Sequence, residues 1–294
     1  MSATLVLDAS GVVLAGAVGA DGATTLTTIR ALEEGVFAEG IAAGAPVLRV
    51  GGHASGRTYG TPVAVDARVR VPAGTAEVPV EDAAGFAAGD EVVVEFTPNA
   101  AWVAALGMVE IGWTPGSYRI KYRREIAAVA GNVLTLDLPL TQALDAAHGG
   151  GQVYPYSHSG RVSHSGVRDL AFVSAYSDGP EDETHAWTAV HFDEILHGFA
   201  ENLRCRHFGF ACVQAGYHAN HVTVKDCRSE AMVSLITGGR RYSFVVNGGS
   251  NLFTGCTADT GRHDFASGSR VPGPNVFHDC HATHAYADIG PHHR

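Results

Sequence analysis

From about Ala200 to the C-terminus, short β-type runs of alternating apolar and polar residues recur. Each is opened by Asn or His, at Asn202-Leu203, His221-Val222, Asn251-Leu252 and Asn275-Val276. Each is closed by a cysteine, and Cys205, Cys227, Cys256 and Cys280 are spaced by 22, 29 and 24 residues. A polar residue and a second short strand follow every cysteine. A period in the low twenties, with slack in one loop, is the sequence form of a solenoid. One coil of three short strands cannot cover its own apolar side, but coils stacked at the roughly 4.8 Å spacing of hydrogen-bonded strands can. Equivalent inward positions then form ladders, and Cys, a small apolar side chain, suits one. The pattern predicts an all-β chain wound as a parallel β-solenoid.

Residues 1–60 fit the same scheme, with runs at Leu5–Leu7, Val12–Leu14, Thr25–Thr28 and Val47–Val50 and a turn at Asp8-Ala9-Ser10-Gly11. Residues 28–43 read as a short helix or a degenerate loop. Over 61–150 the pattern changes to well-spaced alternating strands, among them Ala76–Val80, Asp90–Phe96, Ile120–Val129 and Val133–Leu138. Turns at Pro72-Ala73-Gly74 and Gly131-Asn132 separate them. This predicts a small antiparallel barrel or sandwich inserted into the solenoid. Its excursion over 100–118 carries Trp102, Trp113 and Tyr118, which either expose aromatic faces or plug the module's core. The main coils occupy 151–294, resuming visibly at Gly160-Arg161. A long loop, 174–185, then carries Asp178, Glu181, Asp182 and Glu183. It reads as a solvated turn, a cleft wall or a cation site, and it matches no specific calcium loop.

Composition narrows the function. The chain has 294 residues, 36 glycines and only 17% charged residues, which suits a turn-rich all-β protein. A formal net charge of −10 argues against a nucleic-acid or membrane-surface binder. No stretch is long and apolar enough to span a membrane. Five cysteines, an odd count with four at ladder positions, predict free buried thiols rather than a disulfide framework. The N-terminus shows no signal peptide and reads like solenoid interior, and Pro291-His292-His293-Arg294 ends without a cap. These features predict a segment of a longer, secreted or extracytoplasmic protein.

Several segments resemble the right-handed parallel β-helix of the pectin-lyase type. DASGVVLAG (from Asp8) resembles that superfamily's turn-strand-Gly coil, and VPAGTAEVPVEDAAGFAAGDEVVV (from Val71) resembles a β-module inserted in its early coils. HAWTAVHFDEI, GGRRYSF, GRHDF, GPNVFHDC and ADIGPHHR are similar to a bacterial subgroup described only as pectate-lyase-like. The resemblance covers nearly the whole chain. It implies a fold and, by analogy, binding or cleavage of polysaccharide along a groove on one face. It carries no catalytic residue across. The chain lacks the Asp-rich metal strand and the Arg-Pro-Arg-type pattern of calcium-dependent pectate lyases, so calcium is compatible with the sequence but marked by no motif.

The repeat register singles out a candidate site. Eight residues beyond their cysteines lie Asp264 and Asp288, whereas Val213 and Leu235 hold that count in earlier coils. Two carboxylates one strand spacing apart raise a pKa or hold a cation or Arg between them. Around them gather Arg262, His263, Arg240, Arg241, Tyr242, His284 and His292-His293-Arg294. Such a set supplies uronate β-elimination: Arg262 or Arg241 to neutralise the carboxylate, His263 or His293 as base, Tyr242 or a second His as acid. The carboxylate pair equally serves hydrolysis. Arg240, Trp187, His284, His292 and Arg294 are candidate substrate contacts. Three histidines suffice for zinc, but no metal-site spacing accompanies them. The expected partner is a polysaccharide or oligosaccharide, acidic for preference. The alternative is a tailspike- or adhesin-like β-helix that binds glycan through Trp102, Trp113 and Trp187 without cleaving it.

Overall fold

A computed structural model describes residues 4–32 and 45–286. They fall into two compact units, one built from residues up to 53, 161–269 and from 275 onward, the other from 54–160 and 270–274.

The first unit is a right-handed parallel β-helix. Six described coils each give one strand to three faces. The first face stacks Leu5–Leu7, Leu48–Val50, Thr188–Phe192, Ala211–Ala215, Phe244–Val246 and Phe265–Ser267. The second runs from Val13–Ala15 to Val276–His278, and the third from Thr27–Ala31 to His281–Thr283. Every pairing within these faces is parallel and in register, as in Val190 opposite Val213 and Val224 opposite Phe253. Inward rows of like residues result. Phe244 lies flat on Phe265 with ring centroids 5.3 Å apart, and Phe253 meets Phe277 at 4.9 Å.

Corners explain why the repeat is legible. Between the second and third faces the chain turns through a left-handed residue in five of the six described coils: Asp169, Asn202, Asp226, Gly255 and Asp279, all with φ between 50° and 64°. Asn, Asp and Gly tolerate that conformation best, because their short or absent side chains avoid the clash with the neighbouring carbonyl. The next residue points into the core. In the last three coils it is Cys227, Cys256 and Cys280, all free thiols. Their sulfurs donate to the carbonyls of Ala200, Val224 and Phe253 at 3.6–3.7 Å.

Cys205 departs from the expected ladder. Arg204 pairs with Arg228, so Leu203, and not Cys205, stands above Cys227. Cys205 sits two residues further on, still inward because strand side chains alternate, and opposite Ser229. There it meets Cys212 and forms a disulfide with Cα atoms 5.4 Å apart, which corrects the expectation of free thiols throughout. A seven-residue corner brings the end of one coil against the start of the next. His278 and His281 lie on two strands, Val276–His278 and His281–Thr283, separated by the corner at Asp279-Cys280.

The second unit is an antiparallel sheet ordered Arg57–Tyr59, Gly151–His158, Glu91–Phe96, Ile120–Ala130, Val133–Leu136 and Glu77–Pro79. Val78, Val94, Phe96, Ile126, Leu134 and Leu140 fill its core. Trp102 follows the Asn99 cap of a short helix, Ala100–Ala105, and packs against Phe96. Trp113 stacks on Trp102 and Tyr118 on Trp113, the latter pair at 3.7 Å. The three rings thus form one stack and stay partly exposed. Much of the 28–43 stretch lies outside the described residues.

At another left-handed corner, His164, His197 and His221 stack with centroids 4.9 and 5.1 Å apart. Burial, His164 and Arg161 all lower the pKa of His197. A histidine whose folded pKa lies below its unfolded value stabilises above that unfolded value and loses the contribution as pH falls. Thermal denaturation from pH 7 to 5 is therefore expected to show falling stability below about pH 6.5. His197→Gln should flatten the slope.

Candidate functional site

The residues singled out by register do come together at the start of the first face. One position before the Phe244–Phe265 pair stand Ser243 and Asp264, and Ser243 Oγ donates to Asp264 Oδ1 at 2.6 Å. The neighbours of Asp264 in the preceding coils are thus Ser243 and Cys212, not Leu235 and Val213, because the coils differ in loop length before the strand. One residue earlier stand Tyr242 and His263, which form a row with Phe210, centroids 5.6 and 5.2 Å apart. Arg262 lies over the Tyr242 ring and donates to its hydroxyl at 3.1 Å.

This cluster is closed. Asp264 is 4% exposed, Arg241 4% and Arg262 8%. Arg241 donates to the Pro180 carbonyl at 2.9 Å and lies over Tyr286, so it fastens turns together. Arg240 forks onto Glu183 and covers Trp187, which is 2% exposed and has no face for a ligand. The acidic loop is pinned at Asp182 and Glu183, while Asp178 and Glu181 are exposed to solvent. Asp182 takes the amides of Ser177, Asp178 and Thr184, and Glu183 accepts from Ser234. His284 stands apart on the third face, with Nδ1 2.9 Å from Asp259. Asp288, His292, His293 and Arg294 lie outside the described residues. Among the described residues no three His, Cys, Asp or Glu side chains are placed to hold a metal.

Burial raises the pKa of Asp264, opposed by Ser243 and reinforced by Asp259. Oδ2 is buried without a hydrogen-bond partner. Asp264 also leans over Gly261, where any Cβ would strike its carboxyl.

A second, partly buried centre lies further along the same face, on outward positions. Parallel pairing sets Arg49, His191 and Gln214 side by side in successive coils. Arg49 is fixed by the carbonyls of Gly51, at 2.9 Å, and Gly52. Just past the strand, Asp193 Oδ1 accepts the amide of His218 at 2.8 Å. The His191 ring and the Asp193 carboxylate converge above Gly216: a methyl group there would lie 2.8 Å from Nε2 and 2.9 Å from Oδ1. Among the described residues the His191 imidazole makes no side-chain hydrogen bond. Burial holds its pKa below the ordinary value, Asp193 pulls it back up and Arg49 pushes it down, so the ring is neutral at pH 7. A neutral, unpartnered imidazole between a guanidinium and a carboxylate can accept a proton. In the sequence this residue is one of sixteen histidines inside TAVHFDEI, and only knowledge of which coil positions face outward could have selected it.

No family model matches the chain, and no curated protein matches it. Among solved structures it is similar to the tailspike gp49 of Pseudomonas phage LKA1, at 17% identity and TM-score 0.39, covering 94% of this chain and 46% of that one. It is also similar to the gp54 tailspike of Acinetobacter baumannii bacteriophage AP22, solved with A. baumannii capsular saccharide. There the identity is 11% and the TM-score 0.34, over 96% of this chain and 52% of that one. The tailspike gp61 of Pseudomonas phage phi297 matches at 14% identity and TM-score 0.33, over 87% and 40%. The chain spans about half the length of these proteins or less.

A carboxyl with a raised folded pKa contributes stability at acid pH and loses it as pH rises through that pKa. Asp264→Asn is therefore expected to raise the melting temperature at pH 7, with the gain shrinking toward pH 4. Paired thermal melts at the two pH values check this.

Proposed function

We propose that this β-helix acts on a polysaccharide, and that its chemistry is β-elimination of a uronate-containing chain at His191. The observation that carries the reading is the unpartnered imidazole beside Asp193 and Arg49 on an outward row of a parallel sheet. Arg49 supplies positive charge for the substrate carboxylate, which acidifies the adjacent C–H. His191 Nε2 takes that proton, the electron pair forms the C=C bond, and the glycosidic oxygen leaves with its own pair. The imidazolium then returns the proton to that oxygen. The Asp193 carboxylate stabilises the imidazolium by its charge. Hydrolysis draws on two carboxylates, whereas Asp193 is the carboxylate of the described centre, which favours elimination. The Cys205–Cys212 disulfide supports an oxidising compartment and hence action outside the cytoplasm.

Incubation with polygalacturonate and alginate, followed by near-ultraviolet absorbance, tests the reading. New absorbance from unsaturated ends is expected. His191→Gln should lower the rate by about 10²–10⁴-fold, the usual worth of a positioned base. The acid limb of the pH–rate profile should fall below the ordinary His value of about 6.5. Reducing ends without absorbance would indicate hydrolysis instead. Full activity in His191→Gln would remove the centre from the chemistry.

A further inference from the structure

On a different part of the β-helix, the corner between the second and third faces is hollow, forming a groove of about 830 Å³. It crosses five coils, from the Asp21–Thr24 turn through Asp169, Asn202 and Asp226 to Gly255. At ~4.8 Å per coil it runs for roughly 20 Å parallel to the solenoid axis. One wall carries Arg168 and Glu201 at the ends of second-face strands. The other carries Arg204, Arg228 and Thr257 from the third. The left-handed corner residues form the floor, where the Asp226 carboxylate leans over Gly255.

Donors and acceptors alternate along this groove. Asn202 donates to Asp169 at 2.9 Å, Arg168 lies 3.7 Å from Asp169, and Arg228 donates to Thr257 at 3.2 Å. Arg204 is different: its exposed guanidinium makes no hydrogen bond or ion pair with another described residue. Acids and guanidiniums are nearly balanced, which does not suit nucleic acid, whose phosphates demand a net positive track. Nor is there a cluster fit for a metal among the described residues. Carboxylates accepting from hydroxyls, beside guanidinium forks donating to hydroxyl or carboxylate oxygens, match a hydroxyl-rich chain.

We propose that this corner groove is a saccharide-binding site, separate from the His191 centre, that holds an extended stretch of polysaccharide parallel to the axis with Arg204 as its free donor. The choice of ligand rests on the polysaccharide reading given above. Affinity electrophoresis through gels containing polygalacturonate, alginate or dextran tests it. At least one polymer should retard the wild type. Arg204→Ala should weaken that binding about ten- to a hundredfold, as expected for loss of a charged hydrogen bond. Arg206→Ala, which removes the same charge from the same strand but outside the groove, should keep it. Retention of wild-type affinity by Arg204→Ala, or equal loss in both variants, would overturn the groove while leaving polysaccharide binding intact. A wild type retarded by none of the polymers would overturn the groove and the polysaccharide reading together. Matched thermal melts of both variants show that the folded state is being compared.

Discussion

Parallel pairing in register is the constraint on which the β-helix depends. A strand of three residues has too few hydrogen bonds and too little apolar surface to persist alone. Here each is bounded above and below by a strand of the next coil, so every inward side chain stacks on its equivalent. Phe244 on Phe265 and Phe253 on Phe277 are the aromatic form of this rule, and Cys227, Cys256 and Cys280 the small-residue form. The corners obey the same rule through the backbone. A left-handed residue recurs at one position in five of the six described coils because the next coil must turn at the same place for pairing to resume.

The same constraint decides where chemistry can sit. Inward rows are closed, so functional groups must occupy outward rows or corners, and neighbours there come from different coils. Arg49, His191 and Gln214 are far apart in sequence and one strand spacing apart in space. The Asp264 cluster obeys the geometry as well, yet the loop from Ser174 to His185 lies against it, with Pro180 and Glu183 held by Arg241 and Arg240. Groups that appear catalytic by composition are there absorbed into fastening one long turn to the next. What separates the two clusters is exposure: Asp264, Arg241 and Arg262 are buried, whereas Arg49, His191 and Gln214 are only partly so.

This also explains what could be read from the sequence. Ladder positions carry a compositional signature, so the coils after Asn202 and the antiparallel module were visible as patterns. Cys205 misled because alternation keeps residues two apart on one face. A cysteine two positions out of step looks like a member of the ladder until pairing shows Leu203 in its place. Asp264 was recognisable as special, but counting from a cysteine across a loop of variable length misassigned its neighbours. His191 left no signal, since the role proposed for it comes from Arg49 and Gly216, and the spacing to Arg49 is stretched by the whole inserted module.

A solenoid transmits little along its length, because each coil touches chiefly the coils beside it. The His191 centre draws on the first face of three successive coils, and the groove on the far corner of five. They share strands of the same coils but no side chain. The close-packed apolar rows of the core lie between them. A polymer is the ligand for which such independence is useful. It can be gripped at one row of hydrogen-bonding groups and altered at another, the two acting together only through the continuity of the chain they hold.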